Sequence, residues 1–321
     1  MPADTTQRAA GAGPSRGATV VVTGGYGFIG VNAVRDLVGR GFAVRVLDDL
    51  SSGHPEHLAE VPHDLVEGDI RDPAAVARAL DGAAAVVHLA ASTSVLESVA
   101  DPRPTFEVNV GGTLTLLQGA VAAGASRFVL ASSNAALGEH PPPLDERVVP
   151  RPVSPYGASK LAAEAYCTGF ASSHGIGAVA LRFANVYGPY SGHKTSVVAK
   201  FIRRMLAGEP ITIYGDGRQT RDFIHVDDVV QAIRLALTQP HDEPAFQIAT
   251  ARETSVIELV ERLGRCAGAS PPIEWLPPAA GEIRRNSSSI ELARRRLGFD
   301  PAVSLDDGLP ATWAWLADNL P

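Results

Sequence analysis

The chain has 321 residues, 45% hydrophobic and 20% charged, with a formal net charge of −7. That balance excludes an intrinsically disordered chain and a generally basic nucleic-acid binder. No apolar run reaches the roughly 18 residues of a membrane helix, since His88 interrupts the stretch from Ala83 to Ala91.

Residues 1–17 are small and polar, lack the apolar core of a signal peptide, and read as a flexible tail. Short Val- and Leu-rich runs follow at Thr19–Thr23, Val44–Leu47, Leu65–Val66, Ala84–Leu89, Phe128–Ala131 and Ala178–Phe183. They are continuous rather than alternating, as strands buried on both faces are. Helical patterns separate them. Phe28, Ile29, Val31, Val34, Leu37 and Val38 repeat at helical spacing before a stop at Gly41, and Pro104–Ala123 and Tyr156–His174 read as two longer helices. Strand–helix alternation of this kind predicts an α/β fold with a Rossmann-type, doubly wound parallel sheet. From about Pro189 turn signals such as Gly215-Asp216-Gly217 and Pro271-Pro272 become dense, and helices at 196–206, 227–237 and 255–267 follow without the regular alternation. The expected division is therefore a core domain over 18–188 and a smaller lobe over 189–321, with room for elements that return to the first sheet. Cys167 and Cys266 lie far apart and form no CxxC, so neither a disulfide framework nor a metal cluster is expected. Two reduced thiols suit a cytoplasmic protein.

Chemistry concentrates in a few short segments. Thr23-Gly24-Gly25-Tyr26-Gly27-Phe28-Ile29-Gly30 leaves the first strand and opens the first helix. Glycines at 24, 27 and 30 supply a tight turn, a backbone free of side chains beside a pyrophosphate, and close helix–strand packing. Asp48 ends the second strand, where a carboxylate accepts hydrogen bonds from a ribose diol and repels a 2′-phosphate, which favours NAD over NADP. Asp49 is placed to share that task. Asp69, after the third strand, is a candidate for the adenine edge or an ordinary turn aspartate. Tyr156 and Lys160 stand four residues apart, on one face of a helix. An ammonium there is expected to draw the phenol down towards neutrality, so that it can take a proton from a hydroxyl and return it. Tyr190 and Lys194 share the spacing but sit in a loop bounded by Gly188-Pro189 and Gly192. Ser132-Ser133 closes the fifth strand at the edge where open α/β sheets bind ligands.

The blocks TGGYGFIG (23–30), DDLSSG (48–53), GDIRD (68–72), HLAA (88–91), NVGGT (109–113), SPYGASK (154–160), RFANVYGP (182–189), YGDGRQTRDFIHVDD (214–228) and GEI (281–283) resemble the extended short-chain dehydrogenase/reductase family. The likeness is strongest to its nucleotide-sugar 4-epimerases. It implies an NAD-binding Rossmann domain, a carboxyl-terminal lobe for a UDP-sugar, and a homodimer built on helices 104–123 and 156–174. The net charge and the lack of a long apolar run lead to the expectation of no nucleic-acid and no membrane partner. Ser133, Tyr156 and Lys160 resemble the family's catalytic triad. The cofactor set carried over is Gly24, Gly27, Phe28, Ile29 and Gly30, then Asp48, Asp49, Ser52 and Gly53, then Asp69, Ile70, Leu89, Ala90 and Ala91, with Asn109, Tyr156 and Lys160. The substrate set is Ser133, Asn134, Asn185, His193, Lys194, Thr212, Tyr214 and Arg221. Arg221 also has a plain reading, an ion pair with Asp222 or Asp227.

Three departures from the family pattern sharpen the expectation. Leu137 stands where a tyrosine is usual, which nothing in the sequence explains. Asn134 and Ala135 occupy the positions where sugar 4,6-dehydratases place an Asp-Glu pair and uronate decarboxylases a glutamate, and neither titrates near neutrality. Ala279 replaces an arginine that grips the diphosphate. In relatives acting on uronates, the region of His193 and Lys194 supplies a cation for the C6 carboxylate. The expected activity is thus C4 epimerisation of a UDP-sugar through a transient 4-keto sugar, on UDP-glucuronate/UDP-galacturonate or UDP-glucose/UDP-galactose. A reductase or dehydrogenase of the same family and a UDP-glucuronate decarboxylase are the rivals. The intact triad stands against a silent NAD-binding regulator.

Overall fold

A computed structural model describes residues 13–278 and 284–319. Most of the expected tail, Ala279 and the block at 281–283 lie outside the described residues. Six parallel strands, β1 (Thr19–Thr23), β2 (Ala43–Asp48), β3 (Asp64–Glu67), β4 (Ala85–His88), β5 (Arg127–Ser133) and β6 (Gly177–Phe183), join a seventh, Ala245–Ile248, in one sheet. From the Ala245–Ile248 edge the order is β6, β5, β4, β1, β2, β3. The chain therefore runs outward from β1, returns, and runs outward the other way from β4. A crevice opens at such a switch point, over the carboxyl ends of the strands.

Except at the edge strand β3, which is mostly exposed, the strands are apolar on both sides because both faces are covered. Val20 and Val22 meet α1 (Phe28–Gly39), while Val21, Val86 and Phe128 meet α2 (Pro73–Leu80) and helices later in the chain. The span read as one helix over 104–123 is three pieces, the end of α4 (Pro102–Phe106), a π-helical turn at Glu107–Gly112, and α5 (Thr113–Ala122), with a separate short helix, α3 (Val95–Ala100), just ahead of it. Asp101 ends α3 and caps α4 by accepting from the Arg103 N–H, and Pro102 fills the first position of α4. The π turn holds one extra residue per turn, which hydrophobic spacing alone does not reveal. α6 (Pro155–His174) begins at Ser154, whose hydroxyl accepts from the Gly157 N–H, and ends at Gly175 in the left-handed region with φ 71°.

The outer lobe packs around Ile202, Ile211, Ile213, Leu259, Leu263 and Leu316, with the strand Ile211–Tyr214 pairing in parallel with Ile273–Leu276. Two elements beyond residue 188 belong to the first layer system. The strand Ala245–Ile248 pairs with β6, and the helix Val226–Thr238 packs on α1. The end of the presumed tail is also anchored, since the Gly17 N–H donates to the Gly41 carbonyl at 2.8 Å. Both thiols are free, Cys167 buried and Cys266 partly so. Among the described residues no helix is long and apolar enough to cross a membrane.

Candidate active site

A cleft of about 540 Å³ lies over the carboxyl ends of β1, β2, β4 and β5. Its floor is the glycine turn. Gly24 has φ 66°, and a Cβ there would stand 2.8 Å from the Ala90 Cα. A Cβ on Gly30 would run into the Gly24 carbonyl, so helix and turn touch backbone to backbone. Gly27 caps α1 without any side-chain hydrogen bond, and the first turn of α1 carries no acidic residue. The amino end of α1, with Phe28, Ile29 and Gly30 in its first turn, therefore offers unpaired N–H groups and a positive dipole end to the cleft. A Cβ on Gly53 would lie 2.5 Å from the Tyr26 Cβ, which keeps the loop after β2 close to the same turn. These features fit the pyrophosphate of NAD.

Asp48 and Asp49 separate in role. Asp48 is 7% exposed and accepts the Tyr26 N–H at 3.0 Å and the Leu50 N–H at 2.9 Å. Burial pushes its carboxyl up, and those two N–H groups oppose the rise. Each oxygen keeps lone-pair capacity for a ribose hydroxyl. Asp49 instead accepts from the Ser51 N–H at 3.0 Å and its hydroxyl at 2.6 Å, closing its own turn. Asp69 is held by the Arg71 guanidinium, with contacts at 3.0 and 2.6 Å, which keeps it below the usual carboxylate range. Ser52, Ile70, Leu89, Ala90 and Ala91 complete this end of the lining.

Tyr156 and Lys160 line the opposite end. Lys160 donates from Nζ to the Ala131 carbonyl at 2.9 Å, and Nζ stands 6.0 Å from the centre of the Tyr156 ring. Burial lowers the ammonium to about 8, with Lys194 adding to the fall and Glu164 opposing it. The Tyr156 phenol is pushed up by burial, against a hydrogen bond with Ser133. The expectation that the ammonium draws the phenol down is therefore corrected for the protein alone. Desolvation outweighs a cation that is bonded to a backbone carbonyl rather than to the phenol. The Ser133 hydroxyl also accepts the Ala135 N–H at 3.2 Å. Its neighbour Ser132 turns the other way, onto Glu164, which forms a buried ion pair with Arg182 at 2.7 Å.

The loop after β6 closes over the same cleft. Arg203 fastens it by donating to the carbonyls of Gly192 at 2.5 Å and Lys194 at 2.6 Å. His193 and Lys194 both line the cleft, and Lys194 Nζ lies 3.4 Å from Thr93 Oγ1. Burial, with Lys194 beside it, lowers His193 to about 4. Tyr190 points elsewhere: its ring packs 4.9 Å from Trp315 and 5.0 Å from His57, so it does not pair with Lys194.

Asn109, expected among the cofactor residues, is buried behind the residues that line the cleft. Its amide accepts the Ser92 N–H at 2.8 Å and donates to the Ser92 carbonyl and to Ser159 Oγ, both at 2.9 Å. It holds the wall from behind. Asn134 donates to Ser288 Oγ at 2.9 Å, and its oxygen is buried without a partner. Four of the carried-over substrate residues, Asn185, Thr212, Tyr214 and Arg221, are not among those lining the cleft. Asn185 begins the short strand Asn185–Tyr187. Thr212 lies between Arg204 at 2.6 Å and Glu274 at 3.2 Å. Tyr214 is 41% exposed, and Arg221 donates to the Thr220 carbonyl at 2.8 Å. Asp222 serves as an anchor instead, accepting from Thr250 N–H and Oγ–H at 2.9 and 2.7 Å.

Thr93, Ser94 and Glu97 line the cleft and were not singled out from the sequence. Ser94 caps α3 by accepting the Glu97 N–H, so the Ser-x-x-Glu spacing was the available signal. Among the described residues no group of three or more His, Cys, Asp or Glu is placed to hold a metal.

Known proteins similar to this chain agree on the family and differ in activity. The model of the NAD dependent epimerase/dehydratase family matches residues 20–249. A UDP-glucose 4-epimerase of Mycolicibacterium smegmatis is 37% identical over 301 residues, covering 91% of this chain and 96% of that protein. A dTDP-glucose 4,6-dehydratase of Streptomyces griseus is 36% identical over 308 residues, covering 92% and 93%. Among solved structures, the UDP-glucose 4-epimerase of Thermotoga maritima with UDP-glucose superposes with a TM-score of 0.89 at 37% identity, covering 94% of this chain and all of that one.

Proposed function

The chain belongs to the NAD-dependent epimerase/dehydratase family, and on that premise we propose that it epimerises C4 of a UDP-sugar through a transient 4-keto sugar. The observation that carries this reading is the pairing of Ser133, Tyr156 and Lys160 beside the dinucleotide cleft with Asn134 and Ala135 directly after the serine. The triad can take a carbinol's hydroxyl proton and return it, with the hydride left to NAD. The two residues that follow cannot supply the acid or base that elimination of water demands.

The glycine turn and the amino end of α1 hold the pyrophosphate, and Asp48 holds the adenosine ribose. Hydride acceptance and return at C4 is the chemistry the dinucleotide supplies when bound. Tyr156 Oη takes the C4 hydroxyl proton and gives it back once the 4-keto sugar has presented its other face. The Lys160 charge stabilises the phenolate meanwhile. Ser133 holds the phenol by its hydrogen bond and offers a hydroxyl to the same sugar oxygen. The outer lobe, with Asn185, Thr212, Tyr214 and Arg221, receives the nucleotide.

A sharper reading concerns C6. Lys194 stands in the cleft wall as an ammonium with burial drawing it down, and its contact is a neutral hydroxyl, Thr93. A uronate carboxylate would give it a charged partner, so the substrate is proposed to be UDP-glucuronate or its C4 epimer. Charge-assisted hydrogen bonds of this kind contribute about 1.5–3 kcal/mol. Lys194→Met is then expected to lower kcat/KM for UDP-glucuronate by roughly 10–100-fold and to leave UDP-glucose nearly unchanged. An equal loss on both sugars returns the substrate to the UDP-glucose/UDP-galactose pair. The founding experiment is incubation with a panel of UDP-hexoses and UDP-uronates, products resolved by chromatography. A C4 epimer without net NADH release supports the reading, and stoichiometric NADH release would replace it with a dehydrogenase. A homodimer is part of the same proposal: Leu96, Val99, Phe106 and Tyr166 are exposed apolar side chains on α3, α4 and α6, and burying them against a second copy is favourable. Sedimentation of the purified protein tests it.

A further inference from the structure

Behind the cleft, buried polar groups form a chain in which every proton has one allowed place. His88 ends β4 and is 2% exposed, with Nδ1 2.8 Å from Thr23 Oγ1 and Nε2 3.0 Å from Thr113 Oγ1. The Thr113 hydroxyl donates its single proton to the Asn109 carbonyl at 2.6 Å. It can therefore only accept from His88, which puts the ring proton on Nε2. Nδ1 is left as a bare lone pair, and the Thr23 hydroxyl must donate to it. Thr23 Oγ1 then accepts from the N–H groups of Leu89 and Ala90, both at 3.2 Å. A doubly protonated ring has no place here, because its second proton would take the acceptor that the Thr23 proton needs. Burial acts in the same direction and holds the imidazolium to about 3.

The two ends of this chain matter. At one end Leu89 and Ala90 are the backbone against which Gly24 packs. At the other is Asn109, in the π-helical turn at Glu107–Gly112. π turns inside helices commonly mark functional sites. The Asn109 amide grips Ser92 at both N–H and carbonyl and donates to Ser159 Oγ, which donates to the Tyr156 carbonyl at 2.7 Å.

We propose that His88 is a positioning residue: as a neutral ring protonated on Nε2, it ties the dinucleotide turn to the π turn of Asn109 and, through Ser159, sets where α6 presents Tyr156. This rests on the reading of Tyr156 as the proton carrier. It extends that reading to a residue that touches neither sugar nor dinucleotide.

The test starts with nitrogen NMR of histidine-labelled, NAD-loaded protein, the His88 signal being assigned by its loss in His88→Gln. The expected ring is protonated on Nε2 alone and does not titrate between about pH 8 and pH 5. A ring protonated on Nδ1, or one that titrates there, overturns the proposal. Thr113→Val removes one hydroxyl at nearly constant shape and stands in should His88 variants fail to fold. It is expected to speed amide exchange at Ser92 and Ser159. It should also lower kcat about tenfold with KM within about twofold, as small displacements of a reacting group do. His88→Gln, which can still donate to Thr113, should keep more of kcat than His88→Phe. Unchanged exchange at Ser92 and Ser159 in Thr113→Val, or equal kcat losses in the Gln and Phe variants, overturns the coupling. Failure of the unmodified protein to turn over any UDP-sugar removes the epimerase reading alone, and the NMR and exchange outcomes still decide His88.

Discussion

At the glycine turn of the dinucleotide cleft the groups that fit a pyrophosphate are backbone. Gly24 packs so closely that a Cβ would stand 2.8 Å from Ala90, and α1 starts with no side chain over its N–H groups. The groups proposed to recognise the nucleotide in the outer lobe are side chains, and Thr212 is already engaged by Arg204 at 2.6 Å and Glu274 at 3.2 Å. A backbone cradle exists before its ligand arrives and needs no reorganisation on binding. A side-chain site must exchange partners and order its rotamers, which subtracts from affinity. The difference suits the proposed cycle, in which the cofactor stays and a nucleotide sugar comes and goes.

Substitutions can break that contrast at several strengths. The largest effect is expected at the junction of the two regions. Tyr156→Phe should lower turnover by about 10²–10⁴-fold, the usual worth of a general acid–base, while NAD retention stays near normal. Tyr190→Phe should do far less, and the reverse ranking in steady-state kinetics would show that the wrong tyrosine had been assigned. Gly30→Ala comes next. Alanine gains about 1 kcal/mol of helix propensity, but overlap with the Gly24 carbonyl costs about 1–3 kcal/mol and moves the turn. A lower melting temperature together with loss of co-purifying NAD is the expected result, and a stabilised, NAD-loaded variant would refute the rigid cradle.

Acid should act on the same side of the molecule. His88 takes its proton only near 3 when folded, against about 6.5 unfolded, so from pH 6.5 downward the unfolded chain binds the extra proton. Stability is therefore lost as pH falls through that window, by about 2 kcal/mol at pH 5 for this one fully buried ring. His241, lowered to about 4, adds to the fall. Melting curves at pH 7.5 and pH 5 should show it, with a smaller difference in His88→Gln. The least effect belongs to the outer lobe. Thr212→Val should change KM for the UDP-sugar by less than about threefold, because the hydroxyl's gain on binding is offset by the protein partners it gives up. A tenfold rise would mean that the outer site is as preformed as the inner one.

The fold was legible where burial is two-sided. Thr19–Thr23 is a strand at the residues the sequence indicates, and β5 differs only by extending from Phe128–Ala131 to Arg127–Ser133. The helix read over 104–123 was not legible in detail, because its true start at Asp101-Pro102 lies ahead of the apolar stretch and the π turn does not alter the general apolar character of that stretch. In the site, the glycine turn and the Tyr156–Lys160 pair could be read because each is complete within a few residues. His88 could not, since its partners Thr23 and Thr113 lie 65 and 25 residues away along the chain. The direction of the Tyr156 shift departs from the sequence expectation for a related reason. A neighbouring charge is visible in sequence, whereas desolvation is a property of the assembled wall.

The seventh strand of the sheet has a bearing on how such a protein can be built. Ala245–Ile248 seals the edge of β6, and Phe246 is fully buried there. During synthesis every glycine of the turn, together with Tyr156 and Lys160, leaves the ribosome well before that strand does. Until it arrives, β6 is an open edge able to recruit any other strand. A chain cut after Tyr187 would hold the whole dinucleotide signature and still be an aggregating fragment. The two lobes therefore cannot be shuffled between genes as separate modules at that boundary, because the first borrows its last strand from beyond it.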